Sequence, residues 1–166
     1  MSDLLFVAGV GIPLLWIQTT SLGFLISTSY KPDLMLILVI WAALRLTLVR
    51  GLGVGLVTGI IVDLLSGAPV GLFALTYCLI LVSCNYLDAM FHIDGPVGRA
   101  SLVLGAMIVT GAAVLLLRWL HGPVGVGWDS LGWIALKSMI TAIASVLCFP
   151  LLERAYLRYE RLVGAR

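Results

Sequence analysis

Between Arg50 and Gly71 a small or acidic residue returns at every fourth position: Gly51, Gly55, Gly59, Asp63 and Gly67. Residues four apart share one face of a helix, so this spacing lays a groove free of side chains along that face. One carboxylate sits near its far end. The residues between are mostly Leu, Val and Ile, apolar enough for lipid. A carboxylate in such surroundings is costly unless it faces protein or water. The stretch therefore marks both a close helix contact and a place where polar groups must be satisfied.

The remaining chain matches this setting. Of its 166 residues 61% are hydrophobic and 11% charged, whereas an ordinary soluble domain carries about 25% charged residues. Such a composition supplies a core and no aqueous surface, which points to an all-α polytopic membrane protein with almost no extramembrane domain. A net charge of +2 is too mild to argue for a nucleic-acid partner. Cys78, Cys84 and Cys148 lie inside apolar runs, with no Cys-x-x-Cys pair or Cys/His cluster. They read as small buried hydrophobes, and neither a metal nor another cofactor is expected. With no Lys or Arg before Lys31, no cleaved signal peptide is expected.

The apolar runs divide the chain into six expected spans, at about residues 4–26, 33–48, 51–66, 70–87, 100–120 and 131–152, followed by a basic tail, 153–166. Pro13 should kink the first span, with Gln18, Thr19, Thr20 and Ser21 near enough to satisfy freed backbone groups. Lys31-Pro32-Asp33 opens the second. Proline is tolerated in a first helical turn, and the negative charge of Asp33 suits a helix N-terminus. From Asp33 to Leu65 there are about 33 residues, or roughly 50 Å of helix. Two full crossings need roughly 60 Å, so either the bilayer thins here or one segment is partly re-entrant. Short, glycine-interrupted helices also point to membrane binding sites. Gly105 and Gly111 in the fifth span are further places for close packing. Trp119, Trp128 and Trp133 cluster about the loop before the sixth span, as rings at headgroup level do.

Six spans put both termini on one side, together with Arg45, Arg50, Arg99 and the tail arginines Arg154, Arg158, Arg161 and Arg166. Only Lys31 and Arg118 flank the opposite side. The positive-inside rule makes both termini cytoplasmic. The tail's mix of arginine and tyrosine suits anchoring on anionic lipid.

Asp63 and Lys137 are the ionisable residues most clearly inside apolar runs, and their depths are similar enough for an ion pair. The bland reading of Lys137 is snorkelling to the outer interface. That of Asp63 is capping the Ser66–Val70 turn or bonding a neighbouring helix. The functional alternative is a ligand or proton site. Catalysis finds little support: an intramembrane aspartic protease needs two carboxylates sharing a site, and His92 and His121 fall in loops on opposite faces. No enzyme is expected.

Two segments resemble a known family. Lys31-Pro-Asp-Leu-Met-Leu-Ile-Leu-Val-Ile-Trp41 and Gly55-Leu-Val-Thr-Gly-Ile-Ile-Val-Asp-Leu-Leu-Ser-Gly-Ala-Pro-Val-Gly-Leu72 resemble the rod shape-determining protein MreD. That family has a Pro-Asp entering its second span and a Gly-x-x-x-Gly-x-x-x-Asp-Leu-x-Ser-Gly-x-x-x-Gly core. Asp33, Gly55, Gly59, Asp63, Ser66, Gly67 and Gly71 fall on those positions. The specific match covers residues 31 to 75; beyond it only hydropathy agrees. The resemblance implies a non-enzymatic, multi-pass protein of the bacterial inner membrane that supports peptidoglycan synthesis and rod shape. It implies MreC as the binding partner, with MreB, RodA and a class B penicillin-binding protein in the same complex. It also implies a fold similar to the six-helix substrate-binding component of energy-coupling-factor transporters. That likeness keeps open a second reading, a small-molecule or lipid-binding transporter subunit with Asp63 and Lys137 at its pocket.

Overall fold

Ten consecutive residues, Leu34 to Ala43, are buried on every side. A helix apolar all round belongs inside a protein, and this one is the post around which the others stand. In the computed structural model the described residues are 2–18, 31–66, 69, 71–91, 93, 95–120 and 128–164. They form six α-helices: α1 (Ser2–Trp16), which continues into a π turn at Ile17 and Gln18, α2 (Leu34–Arg45), α3 (Leu48–Ser66), α4 (Leu72–Phe91), α5 (Pro96–Leu120) and α6 (Trp128–Gly164). Residues 19–30, Gly67, His92, Asp94, the 121–127 loop with His121, and Arg166 lie outside the described residues. So do the side chains of Arg118, Trp119 and Trp128.

Helix α2 touches all five others. Its N–H at Asp33 donates to Thr141 Oγ1 at 3.2 Å, and its Arg45 pairs with Glu153 at the other end. Both links join residues 108 apart in sequence. The two helices therefore run parallel and in register over α2's length, about 18 Å. On α4, Tyr77 meets α2's start and Asn85 Nδ2 donates to Ala43 O near its end, so α4 runs the same way. Helix α6 outruns α2 by about 20 Å before Thr141 and about 16 Å after Glu153.

Four helices are long and apolar enough to cross a membrane: Leu48–Ser66, Leu72–Phe91, and the stretches Pro96–Leu116 and Gly132–Arg161 of α5 and α6. Their distribution of residues is that of a membrane protein. On α3 the exposed residues between its ends are apolar (Leu56, Val57, Leu64) or glycine, whereas the buried face is Gly51, Val54, Gly55, Thr58, Gly59 and Asp63. The buried hydroxyls of Thr58, Thr76, Thr110, Thr141 and Ser145 bond their own helix carbonyls. Cys78, Cys84 and Cys148 are free thiols.

The sequence placed the shortfall of length in the second and third spans together. It belongs to α2 alone, with 12 residues, while α3 has 19 and extends about 28 Å. A segment enclosed by protein has no need to match the bilayer thickness. Three helices run past the expected span limits, with Arg50, Asp88 and Arg99 all helical, and α6 carries on through the tail, whereas α2 stops at Arg45, short of the expected 48.

The glycine ladder packs within the chain, against α4, and the fit tightens along it. A Cβ on Gly51 would meet the methyls of Leu81 at 3.1 and 3.2 Å, flexible atoms that can give. On Gly55 it would find ordinary contacts at 3.6 Å. On Gly59 it would strike backbone: Ala74 Cα at 2.3 Å, Ala74 N at 2.6 Å and Phe73 C at 2.9 Å. The two helices thus converge toward Gly59. Gly111 is similarly close to Ile134 Cγ2, at 2.6 Å, but Gly105 faces open space, so its expected packing role is not met.

Gly59→Ala should cost about 1–3 kcal/mol through overpacking. Gly55→Ala should be neutral or stabilising by up to about 1 kcal/mol, from helix propensity. Thermal melts of both variants in one detergent check this; equal melting temperatures would contradict the graded contact.

Candidate functional site

Asp63 lies in the last turn of α3, where the negative end of the helix dipole disfavours a carboxylate. It is 1% exposed. What holds it there is the start of α4. Oδ2 accepts from Gly71 N at 2.8 Å and Ala74 N at 3.3 Å, and Oδ1 accepts from Phe73 N at 2.8 Å. These are N–H groups that a first helical turn leaves without intrahelical partners. The positive end of α4's dipole adds to the attraction. Asp63 is thus the cap of the next helix, delivered from the previous one.

The geometry of this joint explains three of its neighbours. Gly71 has φ +107°, a left-handed conformation that glycine adopts without strain, and so brings its N–H round to the carboxylate. Gly59, one turn before Asp63, lets the Ala74 backbone approach. Ser66 Oγ donates to Asp63 O at 3.3 Å and ties the end of α3. The sequence offered the Ser66–Val70 turn or a neighbouring helix as Asp63's partner; the neighbouring helix it is.

Asp33 plays the equivalent part for α2. Its Oδ1 accepts from Leu36 N at 3.1 Å, an N-cap bond of the kind Asp makes well. Tyr77 Oη donates to its Oδ2 at 3.4 Å, and Tyr77 itself is fully buried. The expected helix start is present, with Asp33 as the cap and Pro32 just outside it rather than in the first turn. Asp33 and Asp63 are therefore both fastened to the first two turns of α4, the segment Gly71 to Tyr77. Tyr77 and Thr141 were not singled out from the sequence. Thr141 had a signal, since Ser138, Thr141 and Ser145 form a buried polar stripe at helical spacing on α6.

Lys137 is half-buried on α6, one turn before Thr141, and its carbonyl accepts the Thr141 hydroxyl at 2.8 Å. The expected ion pair between Asp63 and Lys137 does not form, because three backbone donors already occupy both oxygens of Asp63. Neither residue lines the four best-formed cavities among the described residues. Among the described residues no three His, Cys, Asp or Glu side chains come together as a metal set. Chemically, this joint can orient and fix helices. Its carboxylate is committed to three backbone donors.

Asparagine retains an N-cap acceptor, so Asp33→Asn should cost less than about 1 kcal/mol. Asp63→Asn offers one acceptor oxygen and an NH2 group to three N–H donors, and should cost about 1–3 kcal/mol. Detergent melting curves compare them directly, and the account fails if Asp63→Asn melts with Asp33→Asn.

No family model, curated protein or solved structure matches this chain.

Proposed function

We propose that the chain is a non-enzymatic scaffold of the MreD type, which holds MreC in the bacterial inner membrane and supports peptidoglycan synthesis and rod shape. Six membrane-embedded helices, both termini cytoplasmic and a fold similar to the substrate-binding component of energy-coupling-factor transporters belong to the same reading. MreB, RodA and a class B penicillin-binding protein are its expected companions in the complex.

One observation carries it. The residues that bear the resemblance are residues that hold helices together. Asp33 caps α2, Gly59 admits the α4 backbone, Asp63 caps α4 and Gly71 makes the turn between. A motif consumed by internal architecture fits a protein whose product is a shaped surface for partners rather than a reaction. The apolar outer faces of α3 and α4, with Leu56, Val57, Leu64, Leu75 and Leu79 exposed, suit helix partners approaching through lipid. The transporter-subunit reading needs Asp63 or Lys137 at a pocket, whereas Asp63 is turned to the backbone donors of α4.

The test is co-purification of the tagged chain from its native membrane, followed by mass spectrometry. Wild type and Asp33→Asn should recover MreC. Gly59→Leu, matched for expression, should splay α3 from α4 and recover less than about a tenth as much, a loss equivalent to about 1.4 kcal/mol or more. Wild-type yield from Gly59→Leu, or no MreC with wild type, would sink the scaffold reading. A stoichiometric small molecule in its place would favour the binding subunit.

A further inference from the structure

At the arginine-rich end of the bundle, away from the Asp63 joint, lies a cavity of about 150 Å³ walled by Trp41, Arg45, Asp88, Ile93, Arg99 and Glu153 among others. Two donors on residues of that wall, Trp41 Nε1 and Arg99 Nε, are buried and have no acceptor among the described residues. Trp41 is 1% exposed. A buried N–H without a partner costs about 1–3 kcal/mol, and a native structure that keeps two of them in one cavity wants an acceptor between them.

The charges around the cavity say more about that acceptor. Arg45 is neutralised by Glu153. Arg99 has no carboxylate partner within salt-bridge distance among the described residues and lies 5.6 Å from the centroid of the Phe149 ring. Among the described residues Asp88 accepts the backbone N–H of Ile93, at 3.3 Å through Oδ1. The cavity wall thus carries one guanidinium with an orphan donor, a second orphan donor on Trp41, and one carboxylate. That is the complement of a zwitterion carrying a phosphate and an ammonium group.

A second, apolar groove of about 440 Å³ runs between α4 and α5, past Leu79, Leu87, Leu102, Gly105 and Val109, and shares Ile93 with the polar cavity. Gly105 has nothing within 4 Å of where a Cβ would stand, and this keeps the groove open. Polar cavity and apolar groove together have the outline of a phospholipid: headgroup at the interface, acyl chain along the helices.

We propose that this chain holds one phospholipid with a zwitterionic, primary-amine headgroup of the phosphatidylethanolamine class, its phosphate on Arg99 and Trp41, its ammonium on Asp88, its acyl chain in the α4–α5 groove. The inference is independent of the scaffold reading and of any transport. It gives the orphan donors their acceptor and Gly105 its purpose.

Native mass spectrometry and thermal shifts of the full chain in detergent test it, with phosphatidylethanolamine, phosphatidylglycerol and cardiolipin added back separately after delipidation. Wild type should retain a single phosphatidylethanolamine and bind it at least about tenfold more tightly than phosphatidylglycerol, the worth of one charge-assisted contact. Arg99→Gln should lose about tenfold in affinity. Trp41→Phe removes the N–H while keeping a ring beside Phe6 and Tyr156, whose centroids lie 5.6 and 5.3 Å away; it should lose a smaller factor. Gly105→Leu fills open space, so it should melt like the lipid-free wild type and yet lose the lipid shift. Equal binding of all three lipids with Gly105→Leu unaffected would mean annular lipid only. No retained lipid and no shift would mean a cavity filled by water. Either result overturns the proposal.

Discussion

The Asp63 carboxylate takes three backbone N–H groups at the start of α4, and most of the bundle's geometry follows from that capture. In hydrocarbon an unsatisfied N–H costs several kcal/mol, so a helix that begins inside a membrane protein needs its cap supplied from somewhere. Here the preceding helix supplies it across a sharp turn at Gly71. The cap can reach only because α3 and α4 touch backbone to backbone at Gly59 and Ala74. Cap and contact therefore stand or fall together: moving the helices apart by the width of a methyl would pull the carboxylate off its donors.

The same rule governs α2, a helix too short to span and too buried to meet lipid. Both of its ends are satisfied by neighbours that run parallel to it. Asp33 and Thr141 serve its start, and Asn85 and the Arg45–Glu153 pair serve its finish. The interior of the bundle is thus where the polar work is done, by carboxylates, hydroxyls and backbone, while the outside is left to leucine, valine and isoleucine. At the arginine-rich end Trp41 Nε1 and Arg99 Nε have no acceptor among the described residues, and this contrast sets that end apart from the Asp63 joint.

Much of this was legible in the amino-acid order, because membrane helices announce themselves by length and apolarity, and glycines at four-residue spacing by absence of side chain. Asp33 as a helix start was readable from its place before an uninterrupted apolar run. Asp63 was readable as a problem but not as its solution, since its partners lie eight to eleven residues on, beyond a turn. Tyr77 looked like one more residue of an apolar run; only tertiary packing sets its hydroxyl on Asp33. Gly105 and Gly111 show the limit of reading glycine alone: one packs against Ile134 and the other lines an open groove. The resemblance to MreD rests on residues 31 to 75, the part of the chain that builds α2, α3 and the first turn of α4.

Amide hydrogen exchange at Gly71, Phe73 and Ala74, measured in nanodiscs, reads the central interaction directly. First-turn amides of a helix ordinarily exchange fast, for want of an intrahelical acceptor. The account predicts protection at these three amides comparable to the middle of α4, and its selective loss in Asp63→Asn while the amide of Leu36 stays protected. Rapid exchange at all three in the wild-type protein would contradict it.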